Sequence, residues 1–187
     1  MKLGVNIDHI ATLRNARGQD NPNLIRALKI CQDAKIDTLT VHLREDRRHI
    51  KDLDTKEICS LNKVLVNLEV SMNNEIIKKA LRYKPNYICI VPENRKEITT
   101  EGGLNLKDNF KKLKKIISKF KKSNIRTSLF INPNLSDIKL SKKLNVDCVE
   151  IHTGKLANNV KSHINYLSEL NRIKKCSKLA SKLNIEV

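Results

Sequence analysis

The chain has 187 residues, of which 40% are apolar, and 37 lysines and arginines against 20 aspartates and glutamates give it a formal net charge of +17. That length suits one domain, 1–187, with a proper core. No apolar run approaches the roughly 18 residues that cross a bilayer, and Asn6, Asp8 and His9 interrupt any signal-peptide segment, so a cytoplasmic protein without membrane association is expected.

The charge admits two readings, attraction to polyanions or steering of phosphorylated small molecules on the one hand, and a lysine-coated surface with a bias toward Lys, Asn and Ile on the other. The densest basic run, Lys107 to Lys122, places Phe110, Leu113, Ile116, Ile117 and Phe120 at helical spacing and its lysines opposite them. With Trp 0, Tyr 3 and Phe 3 there are few platforms for stacking bases. No nucleic-acid partner is therefore expected. The cysteines (Cys31, Cys59, Cys89, Cys148 and Cys176) form no Cys-x-x-Cys pair; they read as reduced, buried and inert, with no metal site.

In chain order, the strand Leu3–Ile7 ends in Asn6, Asp8 and His9 and runs into an Arg-rich loop through Arg17 and Gly18. An apolar strand finishing in three polar side chains is poor core material and reads as a site. A helix is expected over 23–33, then the strand Thr38–Leu43. It is followed by His42-Leu43-Arg44-Glu45-Asp46-Arg47-Arg48-His49, where His42 and Arg44 keep one strand parity. Arginine forks bind phosphate and histidine exchanges protons near neutrality; a solvated turn is the bland alternative.

Helices at 55–61 and 74–83 flank the strand Val64–Glu69. Glu69 faces the same side as Asn67; a carboxylate turned into a barrel interior loses hydration and is suited to proton abstraction, although a structural ion pair with an arginine explains it equally well. After the strand Tyr87–Val91, the long connection through Thr99 and Gly102-Gly103 reads either as a lid or as a surface excursion. Helices at 107–122, 136–144 and 162–183 alternate with strands at 127–131 and 148–152, and the beginning of another strand is expected at 185–187. Glu150 and His152 share a face.

Repeated β–α alternation predicts a parallel sheet. Polar residues on one strand face and apolar residues on the other favour a (β/α)8 TIM barrel, with polar groups near the C-terminal mouth, over a flat doubly wound sheet.

The segments from Gly4 to Gly18, from Val41 to Ile50 and at Asn67-Leu68-Glu69, together with Val-Pro-Glu at Val91, Thr-Thr-Glu-Gly-Gly-Leu at Thr99, Ser-Leu-Phe-Ile at Ser128 and Glu-Ile-His-Thr-Gly at Glu150, closely resemble the pyridoxine 5′-phosphate synthase family. The resemblance implies a TIM barrel assembled as a homo-octamer. The implied reaction joins 1-deoxy-D-xylulose 5-phosphate to 3-amino-2-oxopropyl phosphate by general acid–base catalysis, releasing phosphate and water, with no metal or other cofactor.

By position in those motifs, His42 and Glu69 correspond to catalytic proton acceptors and Glu150 to a carboxylate stabilising positive charge in the transition state. Asn6 would contact the amino-ketone phosphate, and Asp8, His9, Arg17, Arg44, His49 and Thr99 the deoxyxylulose phosphate. The family continues with a histidine acid, an eighth strand and a phosphate-binding turn. None of these follows Val187, so a barrel short of the end of strand seven, strand eight and the final helices is expected. An inactive remnant that retains assembly or ligand binding is the alternative reading.

Overall fold

The computed structural model describes residues 2–93 and 102–187. They form two compact units, Met1–Cys89 and Ile90–Val187.

In the first unit, β1 (Gly4–Asn6), β2 (Thr38–His42), β3 (Leu65–Val70) and β4 (Tyr87–Ile90, which reaches the unit's end) follow in spatial order, interleaved with α1 (Asp8–Arg17), α2 (Leu24–Asp33), α3 (Asp52–Leu61) and α4 (Asn74–Tyr83). β1 pairs with β2, and β2 with β3, in parallel. Leu39, Val41, Leu68 and Val70 are completely buried, as expected for the helix-covered side of a parallel sheet. Asn23 and Asn73 cap α2 and α4 by accepting from main-chain N–H groups one turn in.

α1 departs from the sequence reading, which made this stretch an Arg-rich loop. The expected signal, a capping side chain next to an apolar periodic run, is displaced. The N-cap is Ile7, and Asn6 one position earlier takes the Asp8 N–H on its Oδ1 at 2.8 Å. The helix buries only Asp8 and Ala11, and closes at Gly18 in the left-handed conformation (φ 62°). Asp8 ties α1 to the sheet: its Oδ1 accepts the main-chain N–H of His42 at 2.8 Å. The carboxylate also sits in the first turn, where the helix dipole favours negative charge.

In the second unit, α5 (Leu106–Lys122), β5 (Arg126–Ile131), α6 (Leu135–Leu144), β6 (Cys148–Ile151), α7 (Gly154–Lys161) and α8 (Leu167–Lys182) follow in order, with β5 and β6 parallel. α5 buries Leu113, Ile116, Ile117 and Phe120, and most of its lysines are exposed, which is the lysine-coated helix the spacing predicts.

The helix expected over 162–183 begins only with α8: residues 162–166 form a break with His163 at φ 55°, and α7, which precedes that break, was not anticipated from the sequence. Ile164 and Leu167 of its apolar stripe are exposed. The strand expected at 185–187 is a single parallel bridge from Glu186 to Cys148. Gly103 lies against β5 with its N–H on Asn132 Oδ1 at 2.9 Å, and the Leu104 N–H reaches Phe130 O, also at 2.9 Å.

The cysteines are free thiols, but Cys31, Cys59 and Cys148 are half-buried rather than core. Among the described residues no helix is long and apolar enough to cross a membrane.

Three outcomes follow. A Cβ on Gly103 would stand 2.3 Å from Asn132 N and 2.4 Å from the Ile131 carbonyl carbon, main-chain atoms that cannot swing aside. Gly103→Ala should therefore cost about 1–3 kcal/mol, read as a lower urea midpoint; an unchanged midpoint contradicts this packing. Asp8→Ala strands the buried His42 N–H and should cost about 1–3 kcal/mol in the same assay. Burial pushes the thiols of Cys59 and Cys148 up to about 11. At pH 8 such thiols are only about 0.1% thiolate, so iodoacetamide should label both much faster after denaturation; equal rates would refute the burial.

Candidate active site

Residues in register on parallel strands share a face. Asn6 of β1 lies opposite Thr40 of β2, and Thr40 opposite Asn67 of β3; Asn67 Nδ2 donates to Thr40 Oγ1 at 3.3 Å. This polar row continues one layer toward the strand ends, where His42 lies opposite Glu69. The His42 Nδ1 and Glu69 Oε2 atoms are 3.5 Å apart. The alternation read from sequence thus becomes two stacked polar layers, and Glu69 meets a histidine of the neighbouring strand.

Asp8 completes the upper layer. Its Oδ1 holds the His42 N–H, and its Oδ2 accepts from Asn6 Nδ2 at 3.0 Å. One ligand-type atom from each of Asp8, His42 and Glu69 falls within 4.8 Å of the others, a spacing that would suit a cation. Each Asp8 oxygen also accepts one hydrogen bond, from the His42 N–H on Oδ1 and from Asn6 Nδ2 on Oδ2. The arrangement fits groups that hold and move protons.

The charged segment after β2 sorts into two sets. Arg44 is 7% exposed, its Nε 3.7 Å from Asp46 Oδ1, and His49 is half-buried beside α1. The others knit the loop. Glu45 accepts from Ser71 Oγ and Asn73 Nδ2 at 2.8 and 3.1 Å, and Arg47 donates to Asp52 at 2.9 Å and to the carbonyls of Arg44 and Glu45. Burial would raise the Asp46 carboxyl, but hydrogen bonds and charge from Arg48, with help from Arg44, hold it below the usual carboxylate range.

The predicted residues are therefore not all brought together. Asp8, His42 and Glu69 form one cluster, joined by Asn6 through Asp8. His9 is exposed, with its ring centroid 6.1 Å from that of His49. Arg17 is exposed at the far end of α1 from Asp8. Thr99 lies outside the described residues. Glu150, half-buried on β6 of the second unit, is in register with Phe130, whose ring meets His152 edge-on at 5.3 Å.

Thr12 and Asn15 were missed by sequence reasoning. Both contact the His49 segment from α1. Their three-residue spacing is a helical signal, visible only once this stretch is recognised as a helix.

The chain is 58% identical over 186 residues to the pyridoxine 5′-phosphate synthase of Pelagibacter ubique, covering 100% of this chain and 78% of that protein. It is 45% identical over 187 residues to the enzyme of the same name from Zymomonas mobilis, covering 100% and 72%.

Among solved structures it resembles an HpcH/HpaI aldolase from Desulfitobacterium hafniense (TM-score 0.57, 14% identity, 97% of this chain and 73% of that one). It also resembles a second aldolase, QR15 (TM-score 0.56, 15% identity, 95% and 75%). At such identities the likeness bears on fold alone, and the fold class is the expected α/β one, a partial (β/α)8 TIM barrel. The model of the pyridoxal phosphate biosynthesis protein PdxJ matches residues 3–187, and with the identities above it establishes that the chain belongs to that family.

Proposed function

We propose that the chain carries out pyridoxine 5′-phosphate synthase chemistry, condensing 1-deoxy-D-xylulose 5-phosphate with 3-amino-2-oxopropyl phosphate and releasing phosphate and water. The observation that carries this reading is the side-by-side placement of His42 and Glu69, 3.5 Å apart, behind the Asp8 anchor. Closing a ring through an imine and successive dehydrations requires protons to be taken from and returned to several adjacent atoms. Two acceptors on neighbouring strands can serve two positions of one substrate without the chain moving.

In this reading His42 and Glu69 are the proton acceptors, and Glu150 stabilises the positive charge that develops in the transition state. Asn6 contacts the amino-ketone phosphate. Asp8, His9, Arg44 and His49, together with Arg17 and Thr99, hold the deoxyxylulose phosphate, with Arg44 supplying the planar fork suited to a phosphoryl group. The substrates are phosphorylated small molecules. The same reading makes the protein a cytoplasmic homo-octamer that uses no metal or redox cofactor.

Glu69→Gln keeps the shape of the side chain and removes the base. It should lower product formation by about 10²–10⁴-fold, the usual contribution of such a group, with an unchanged urea midpoint. Turnover at the unsubstituted rate would remove Glu69 from the mechanism. An unsubstituted chain that binds both phosphorylated substrates yet forms no product would replace this reading with that of an inactive, ligand-binding remnant.

A further inference from the structure

Thr12 and Asn15 stand one turn apart on α1 and grip His49 at two points. Thr12 Oγ1 lies 2.6 Å from His49 Nδ1 and 3.1 Å from the main-chain oxygen of Asp8. Asn15 Nδ2 donates to the carbonyls of Arg48 and His49 at 3.1 and 2.7 Å. The Asn15 amide is oriented in turn, because its Oδ1 accepts from Arg14 Nε and Nη2 at 3.3 and 3.1 Å. That guanidinium is itself fixed by a two-pronged bond to Asp54 at 2.7 and 2.8 Å. Both the ring and the backbone of His49 are therefore held from one helix face.

A threonine hydroxyl has one proton to donate, and a carbonyl oxygen can only accept. Both Thr12 contacts are satisfied together only if the hydroxyl donates to Asp8 O and accepts from Nδ1–H. We propose that Thr12 is a positioning residue that holds the neutral His49 ring in its Nδ1–H form, leaving the lone pair of Nε2 on the far side of the imidazole.

The functional consequence rests on the reading of His49 as a contact of a phosphorylated substrate. A phosphoryl oxyanion is an acceptor, so the Nε2 lone pair opposes it until Nε2 takes up a proton. Anion binding at His49 is then coupled to proton uptake. The charged and titratable groups facing the ring are Asp8 and His9 from α1 and Arg44 and Arg48 from its own loop. Burial lowers the imidazole below its ordinary value; Arg44, Arg48 and His9 add to this, and Asp8 opposes it. With no anion bound, the ring is neutral at pH 7.5. Lowering the pH through the ring's depressed value charges it, so anion binding should strengthen as pH falls.

The test is a two-bond ¹H–¹⁵N correlation spectrum of the histidine rings at pH 7.5, with His49 identified among the five histidines by the signal that His49→Gln removes. The Nδ1–H pattern is expected in the unsubstituted chain and in Thr12→Ser, with loss of that preference in Thr12→Val. An Nε2–H pattern in the unsubstituted chain overturns the proposal, and needs no variant to fold. So does an unchanged Nδ1–H pattern in a folded Thr12→Val. Added inorganic phosphate should then protonate Nε2 of His49. An Nδ1–H ring that ignores phosphate keeps Thr12 in its role and removes His49 from substrate binding, which separates failure of the functional reading from failure of this one.

Discussion

The bond on which the rest of the first unit's site depends is the one from Asp8 Oδ1 to the main-chain N–H of His42. A buried amide needs a partner, and at the end of β2 that partner is the first residue of α1. The bond therefore fixes where α1 begins relative to the strand that carries His42. The Asp8 charge in the first helical turn and the reciprocal Asn6–Asp8 bonds stiffen the same corner. Once α1 is fixed, its Thr12 and Asn15 reach the His49 segment, and Arg14 reaches Asp54 at the start of α3.

Register builds the rest. Parallel pairing brings like faces into line, so Asn6, Thr40 and Asn67 form one row and His42 and Glu69 the next. Apolar partners at the intervening positions, Val41 and Leu68 among them, are completely buried. A one-residue slip of β3 would turn Glu69 toward the helices and Leu68 into the polar layers. The cost of burying an unpaired carboxylate there makes that slip strongly unfavourable, so the requirement for an apolar core and the requirement for a proton-handling pair select the same register.

Much of this was legible in the sequence, for a physical reason. Strand parity has a period of two, and the alternation of Thr40, His42 and Arg44 with Val41 and Leu43 is visible residue by residue. The strands through residue 151 and the helices over 24–33 and 74–83 follow such patterns closely. α1 was not legible because it buries little apolar surface and its cap comes from Asn6, one residue before the usual place. The break at residues 162–166 was hidden because Ile164, Leu167 and Leu170 keep helical spacing through it. Nor could charge alone separate Arg44 and His49 from Glu45, Asp46, Arg47 and Arg48; their roles depend on partners such as Ser71 and Asp52, distant in sequence.

Amide hydrogen exchange reads the Asp8–His42 bond directly. His42 is the last residue of β2, where an amide bonded only to water would exchange quickly. With the bond in place, the His42 amide should exchange as slowly as those of Leu39 and Val41 within the strand. Exchange at the rate of an exposed loop amide, with Leu39 and Val41 still protected, would contradict it and separate α1 from the site it is said to hold.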